Sequence, residues 1–265
     1  MPEALQIVCP HCDMINRISR SAPRWGAAEL QRLRERTRGN GGRVSRPLNS
    51  NVSPNWGGTD MGEHGAICRL GVFYDGSFFS YAQHYYYHER QLGWLRFPEL
   101  HHFLEKYIGL REQGFASYKV VYAGWYQGLF TSKDATFDQL KRDRNLYHDL
   151  MHAGVEPKYL PMSQKLGEKG VDVALAVDAL QVGLGQMIDV AVLVTGDGDF
   201  VPLVRALNKQ GVRVLAAYFA FETKDGGKSF INERLLAAAN YGVDIDALGS
   251  SKEHKKDFAT LFRKA

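Results

Sequence analysis

Residues 190–203 read Val-Ala-Val-Leu-Val-Thr-Gly-Asp-Gly-Asp-Phe-Val-Pro-Leu, and no other stretch limits the fold as tightly. Five apolar residues, mostly β-branched, make a strand that accepts cover on both faces. Thr195-Gly-Asp197-Gly-Asp199 then breaks the strand. Phe200, Leu203, Val204 and Leu207 come next at i, i+3, i+4 and i+7, the apolar face of a helix that Gly211 ends. A buried strand, an acidic turn and a helix in direct succession make one βα unit, the building block of parallel sheets covered by helices.

The rest of the chain repeats the alternation. Strands are expected at Leu70–Tyr74, Lys119–Ala123, Val155–Leu160, Val190–Val194 and Arg213–Tyr218. Further helices are expected at about 78–88, 97–108, 135–153, 171–184 and 231–240. The fold class is therefore α/β with a central, mainly parallel sheet. A composition of 45% hydrophobic and 12% aromatic residues suits a packed core. No apolar run approaches the roughly 20 residues that cross a bilayer, and no secretory signal pattern opens the chain. With only Cys9, Cys12 and Cys68, a disulfide framework is not expected, and the cytoplasm is the expected compartment.

The net charge of +4 is unevenly spread. Residues 1–60 carry nine Arg against five acids, which accounts for all of it; the remainder holds 24 basic and 24 acidic residues. Charge alone gives that remainder no nucleic-acid footprint. Residues 1–60 read as an extension expected to be disordered, with a Gly-, Asn-, Ser- and Pro-rich linker over 39–58 and Met61 as a second possible start. Its Cys9-Pro-His-Cys12 is similar to the first half of a zinc ribbon. Structural zinc wants four ligands, and no second Cys pair is present, so Cys9 and Cys12 are not expected to hold zinc unless His11 or a dimer completes the set. Residues 250–265 read as a polar, basic tail.

Acids mark three positions. Leu70-Gly-Val-Phe-Tyr-Asp75 is an apolar strand ending in a carboxylate, and in open α/β sheets ligand groups collect at such ends. Asp197 and Asp199 stand in the turn after a later strand; Asp199 is the better placed of the two to cap the following helix, which leaves Asp197 unexplained. In Lys169-Gly-Val-Asp172-Val-Ala-Leu-Ala-Val-Asp178, Asp172 opens a helix at the positive end of its dipole. Val171, Leu175 and Val182 form one apolar face of that helix and Val173, Val177 and Leu180 a second, which predicts burial nearly all round. Asp178 projects into the first face and must find a hydrogen-bond partner, so a supporting role is expected for it.

Were Asp75, Asp172, Asp197 and Asp199 to converge, each pair about 4 Å apart would repel by roughly 4 kcal/mol at an effective dielectric near 20. Protonation or a cation must relieve that. Oxygen-only ligands point to Mg²⁺ or Mn²⁺, and the chemistry such a site suits is phosphodiester hydrolysis.

At these residues the sequence resembles the NYN family, the LabA-like branch of the PIN-like nucleases. The resemblance covers about 67–245 and rests on three motifs in order: Asp75-Gly-Ser after the first strand, Lys169-Gly-Val-Asp172 to Asp178 at a helix start, and Thr195-Gly-Asp197-Gly-Asp199-Phe-Val-Pro-Leu. It implies a three-layer α/β/α, Rossmann-like fold and Mg²⁺- or Mn²⁺-dependent cleavage of RNA, chiefly single-stranded. Asp75, Asp172, Asp197 and Asp199 would be the catalytic, metal-binding set; Asp178, Ser77 and Thr195 are expected to support it, and Lys165 and Lys169 are expected either to contact phosphate or to stand as solvated charges. A homo-oligomer is compatible with the resemblance. Phe78 stands where many relatives carry Asn, so a silent RNA-binding or regulatory module is the second reading.

Other readings fall away. A haloacid-dehalogenase-type phosphatase needs a second Asp two residues after the first, where Ser77 stands. Gly226-Gly-Lys-Ser229 imitates the end of a phosphate loop without its first Gly. Phe78, Phe79, Tyr81, Tyr85, Tyr86 and Tyr87 crowd the helix after Asp75 and offer surfaces for bases, but the helical spacing of Phe78, Ala82 and Tyr85 assigns most of them to the core.

Overall fold

The computed structural model describes residues 5–8, 15–18, 66–163 and 167–263. Cys9, His11, Cys12, the linker and Lys165 lie outside the described residues. In the N-terminal unit, β1 (Leu5–Val8) and β2 (Ile15–Ile18) pair antiparallel, a hairpin with no counterpart among the expected strands.

In the second unit, β3 (Ile67–Asp75), β5 (Ser117–Phe130), β6 (Glu156–Met162), β7 (Val190–Val194), β8 (Arg213–Tyr218) and β11 (Tyr241–Asp244) form a six-stranded sheet. The spatial order is β6-β5-β3-β7-β8-β11, and every pairing is parallel. Between β8 and β11, the two-residue strands β9 (Phe221–Glu222) and β10 (Lys228–Ser229) pair antiparallel with each other. From β3 the chain winds outward to one edge, then returns to lay β7 on the other side of β3. The strand order therefore reverses between β3 and β7, where open α/β sheets leave a crevice at the carboxyl ends. Pro157 and Pro161 lie in β6, at an edge of the sheet where a missing N–H is tolerated.

Each strand side feeds a separate core. Leu70, Val72 and Tyr74 of β3 pack toward α1 (Gly76–His84), α2 (Phe97–Gly109) and Leu150 of α3 (Phe137–His152). Phe73 packs the other way, toward α4 (Val171–Leu184), α5 (Val201–Lys209) and Leu235 of α6 (Glu233–Ala238). The result is the expected three-layer α/β/α arrangement. All five residues of β7 are buried, as its unbroken apolar run requires.

Both ends of the β3–β7 ladder carry further consequence. At the amino ends, the Arg69 guanidinium grips Asp189 with Nη2 to Oδ1 at 2.8 Å and Nε to Oδ2 at 3.0 Å. At the carboxyl ends Tyr74 pairs with Val194, which sets the turns leaving the two strands side by side.

Elsewhere structure and expectation differ. α4 is not buried all round: Val173 is 65% exposed and Val177 49%, because the helix forms an outer layer and only its Val171/Leu175/Val182 face meets the sheet. The segment read as a polar tail carries α7 (Ile245–Leu248) ahead of it, then α8 (Lys255–Thr260) and β12 (Phe262–Arg263). Phe258 and Leu261 are buried, and β12 pairs antiparallel with β4 (Trp94–Leu95). Two apolar side chains among charges dock the segment without any periodic signal.

Asp178 meets the expectation that it finds partners. Its carboxylate accepts from the hydroxyls of Tyr122 and Tyr126 on β5 and from Lys158 Nζ on β6 at 2.7 Å. These donors hold its pKa below the usual range against the opposing effect of burial. Asp178→Ala removes the acceptor that all three donors share beneath α4, and a loss of about 2–4 kcal/mol is expected in urea unfolding. Loss below 1 kcal/mol would show that the cluster does not anchor the helix.

Candidate functional site

Asp75 ends β3 and caps α1: its Oδ1 accepts from the Phe78 backbone N–H at 3.1 Å. Its Oδ2 accepts from the Thr195 hydroxyl at 3.0 Å, directly after β7. Thr195 is fully buried, and its Oγ1 in turn accepts from the Asp197 N–H at 3.2 Å. One hydroxyl thus links the acidic ends of two neighbouring strands, as the Tyr74–Val194 pairing dictates.

After Thr195 the chain makes a 3-10 turn, Gly198–Phe200, and enters α5. The capping acid is Asp197, whose Oδ1 accepts from the Asp199 N–H at 2.9 Å. The sequence pattern favours Asp199 for the cap; the 3-10 start shifts it two residues back and leaves Asp199 exposed in the first turn. Gly196 is required by close approach: a Cβ there would stand 2.2 Å from the Phe230 carbonyl oxygen and 3.0 Å from the Phe78 ring.

Asp172 lies in the first turn of α4, which begins after Gly170 in the left-handed region, φ 77°. Burial pushes the Asp172 carboxyl above its usual range, and the charges of Asp197, Glu168 and Asp199 add to the rise. Asp75 is pushed up to about 6, again chiefly by burial, against the pull of Phe78 N–H and Thr195 and with the help of Asp172 and Glu168. The charge of Asp172 acts on Asp75, and those of Asp197 and Asp199 act on Asp172, so the four acids share one electrostatic neighbourhood.

A fifth acid escapes the sequence reading. Glu168, in the loop before α4, accepts from Ser77 Oγ at 2.7 Å and from the Gly128 N–H of β5. Its position four residues before Asp172, on the stretch that supplies Lys169, is the available signal; a lone loop Glu has no motif around it. Ser77 therefore orients Glu168, and Thr195 supports Asp75. Asp178 belongs to its own cluster with Tyr122, Tyr126 and Lys158. Lys169 is exposed.

Of the aromatic run, Phe79, Tyr85 and Tyr86 are buried. A π-turn over Tyr85–Glu89 continues α1, with Tyr85 stacked on Phe221 at 3.9 Å and Tyr86 bonded to Asp246 at 3.0 Å. Phe78 packs on Phe219, so its backbone, not a side-chain amide, serves Asp75.

The donor set fits a hard divalent cation: the group holds carboxylates and hydroxyls but neither His nor thiolate, and burial first, neighbouring charge second, raise the pKa of Asp75 and Asp172, a cost that a cation would relieve. Among the described residues no three His, Cys, Asp or Glu side chains meet in the spacing of a preformed metal centre. Nor is any described helix long and apolar enough to cross a membrane.

The family model for the NYN domain matches residues 69–263. No curated protein matches the chain. Among solved structures, a protein of unknown function from Vibrio parahaemolyticus is similar at 22% identity, over 70% of this chain and 96% of that one, with a TM-score of 0.46. An alcohol dehydrogenase from an archaeal halo-thermophile of a Red Sea brine pool is similar at 11% identity, over 71% and 46%, with a TM-score of 0.18.

The raised Asp75 sets the sign of a pH effect. Its folded pKa of about 6 exceeds the ordinary value of 3.8, so the ionised group opposes folding above pH 6, and the opposition fades as pH falls through 6 toward 4. In EDTA, Asp75→Asn should raise stability by about 1–2 kcal/mol at pH 7.5 and by little at pH 4.5. Equal effects at both pH values in thermal melts would contradict this assignment.

Proposed function

Because this chain belongs to the NYN domain family, we propose that it is a ribonuclease hydrolysing phosphodiester bonds of single-stranded RNA with Mg²⁺ or Mn²⁺ at Asp75, Asp172, Asp197 and Asp199. What supports this reading is that acids from three remote segments stand at the crevice between β3 and β7, where burial first and neighbouring carboxylates second raise the pKa of Asp75 and Asp172. A divalent ion bound there would acidify an attacking water and stabilise the charge of an in-line phosphoryl displacement.

The chain's own groups have separable tasks under this proposal. Thr195 and the Phe78 N–H hold both Asp75 oxygens in place. Asp197 has one oxygen occupied by the Asp199 N–H, which leaves the other for a ligand. Asp172, at the positive end of α4, stands among the acids it interacts with. Glu168, steadied by Ser77 and Gly128, extends the set on the β5 side. Lys169 and Lys165, on the segment leading into α4, contact substrate phosphates. The proposed activity belongs to the cytoplasm, where the three cysteines stay reduced.

The test is cleavage of a labelled single-stranded RNA with Mn²⁺. Wild type cleaves; Asp172→Asn and Asp197→Asn lose at least about 100-fold while melting at or above the wild-type temperature, because each relieves repulsion. Thr195→Val, nearly isosteric, should cost about 10–100-fold, the usual range for a group that orients a ligand. RNA binding without cleavage in wild type would favour a silent RNA-binding module, and unchanged cleavage in all the Asn variants would remove the acids from the mechanism.

A further inference from the structure

Next to the acids, the surface opens into a cavity of about 730 Å³ between α1, the start of α2, the far half of β5 and α3. Ser77 and Glu168 are among its lining residues, and Glu168 acts on Asp75 and Asp172, so the cavity adjoins the acidic site. Its wall is aromatic and apolar, with Trp94, Phe97, Trp125 and Phe130 among the lining residues.

Trp94 is unusual among these. The residue is 46% exposed, yet Tyr87 stacks on its ring at 4.3 Å with 26° between planes. Its backbone is held as well, since Trp94 pairs with Arg263 where β4 meets β12. An exposed indole already clamped from one side loses little freedom when a second flat ring covers the other.

Polar groups on the wall complement an RNA strand. Gln127 accepts from the Trp125 indole N–H at 3.1 Å, which sets the orientation of its amide. Arg142 and Arg263 are exposed at the rim. Asp143 and Asp149 line the same cavity, so net charge contributes little and stacking must supply most of the recognition, in keeping with the even charge balance after residue 60. The volume falls in the range of pockets that take a small ligand, whereas a base still paired in a duplex cannot enter a concave site without opening.

We propose that this cavity binds an unpaired nucleotide of the RNA adjacent to the cleaved bond, its base stacked on Trp94 and its phosphate met by Arg142 and Arg263. The proposal rests on the ribonuclease reading of the acids for its orientation, and it gives that site a physical reason to choose unpaired RNA. Base–aromatic stacking tolerates any base, so little sequence preference comes from it.

The experiment is fluorescence anisotropy of a dye-labelled single-stranded oligoribonucleotide on the full chain in EDTA, where hydrolysis is off. Trp94→Ala should weaken binding about 5- to 100-fold. Asn145→Trp, which fills the cavity from an exposed position on α3, should weaken it at least as much without lowering the melting temperature. Lys209→Ala, at the end of α5, should bind as wild type does, and a blunt duplex of the same sequence should bind at least tenfold more weakly than the single strand. Wild-type affinity in both cavity variants overturns the proposal even if the enzyme cleaves RNA, as does failure of wild type to bind the single strand. Trp94-dependent binding by a chain that cleaves nothing with Mn²⁺ would uphold the cavity and remove the ribonuclease reading instead.

Discussion

The pairing of β3 with β7 is the constraint on which the molecule depends. These strands are adjacent in the sheet and remote in the chain, and their register sets Tyr74 beside Val194. Asp75 and Thr195, the next residues of each, are thereby forced together at the carboxyl end, while Arg69 and Asp189 close the other end. Sliding the register by one residue would turn Phe73 and Tyr74 to the wrong cores and separate the hydroxyl from the carboxylate it serves.

Two carboxylates show how differently one chain treats buried acid. Asp178 receives two phenolic hydroxyls and an ammonium, and its pKa falls. Asp75 receives one hydroxyl and one amide, and burial, followed by the further carboxylates it meets, raises its pKa to about 6. The first arrangement satisfies the charge within the protein and anchors a helix. The second leaves charge unsatisfied where a crevice opens, an arrangement that structural needs alone do not explain.

Much of this is legible in the residues. Continuous apolar runs identify β7 and β8, and helical spacing locates α2 and α4 almost to the residue, because both patterns reflect burial. β11 is not legible: Tyr-Gly-Val-Asp is too short for alternation to show, and it is a strand because β8 offers it an edge. The outward face of α4 misleads for a related reason, since apolar spacing shows that a face is apolar, not that anything covers it. Within the site, strand ends and helix starts disclose the aspartates. Glu168 stays hidden because its place depends on Ser77 and a β5 amide, 91 and 40 residues away. The exchange of capping duty between Asp197 and Asp199 turns on a 3-10 turn that composition does not encode.

The central position of the earliest sheet strand has a kinetic consequence. Leu70 pairs with Val190, so the middle of the sheet closes only after a loop of more than a hundred residues has been gathered. Long-range parallel pairing is intrinsically slow, since the entropy of closing the loop is lost before contacts reward it. Asp75 and the Thr195–Asp199 turn meet only at that late step. The acids are thus assembled by the same long-range pairing that closes the middle of the sheet.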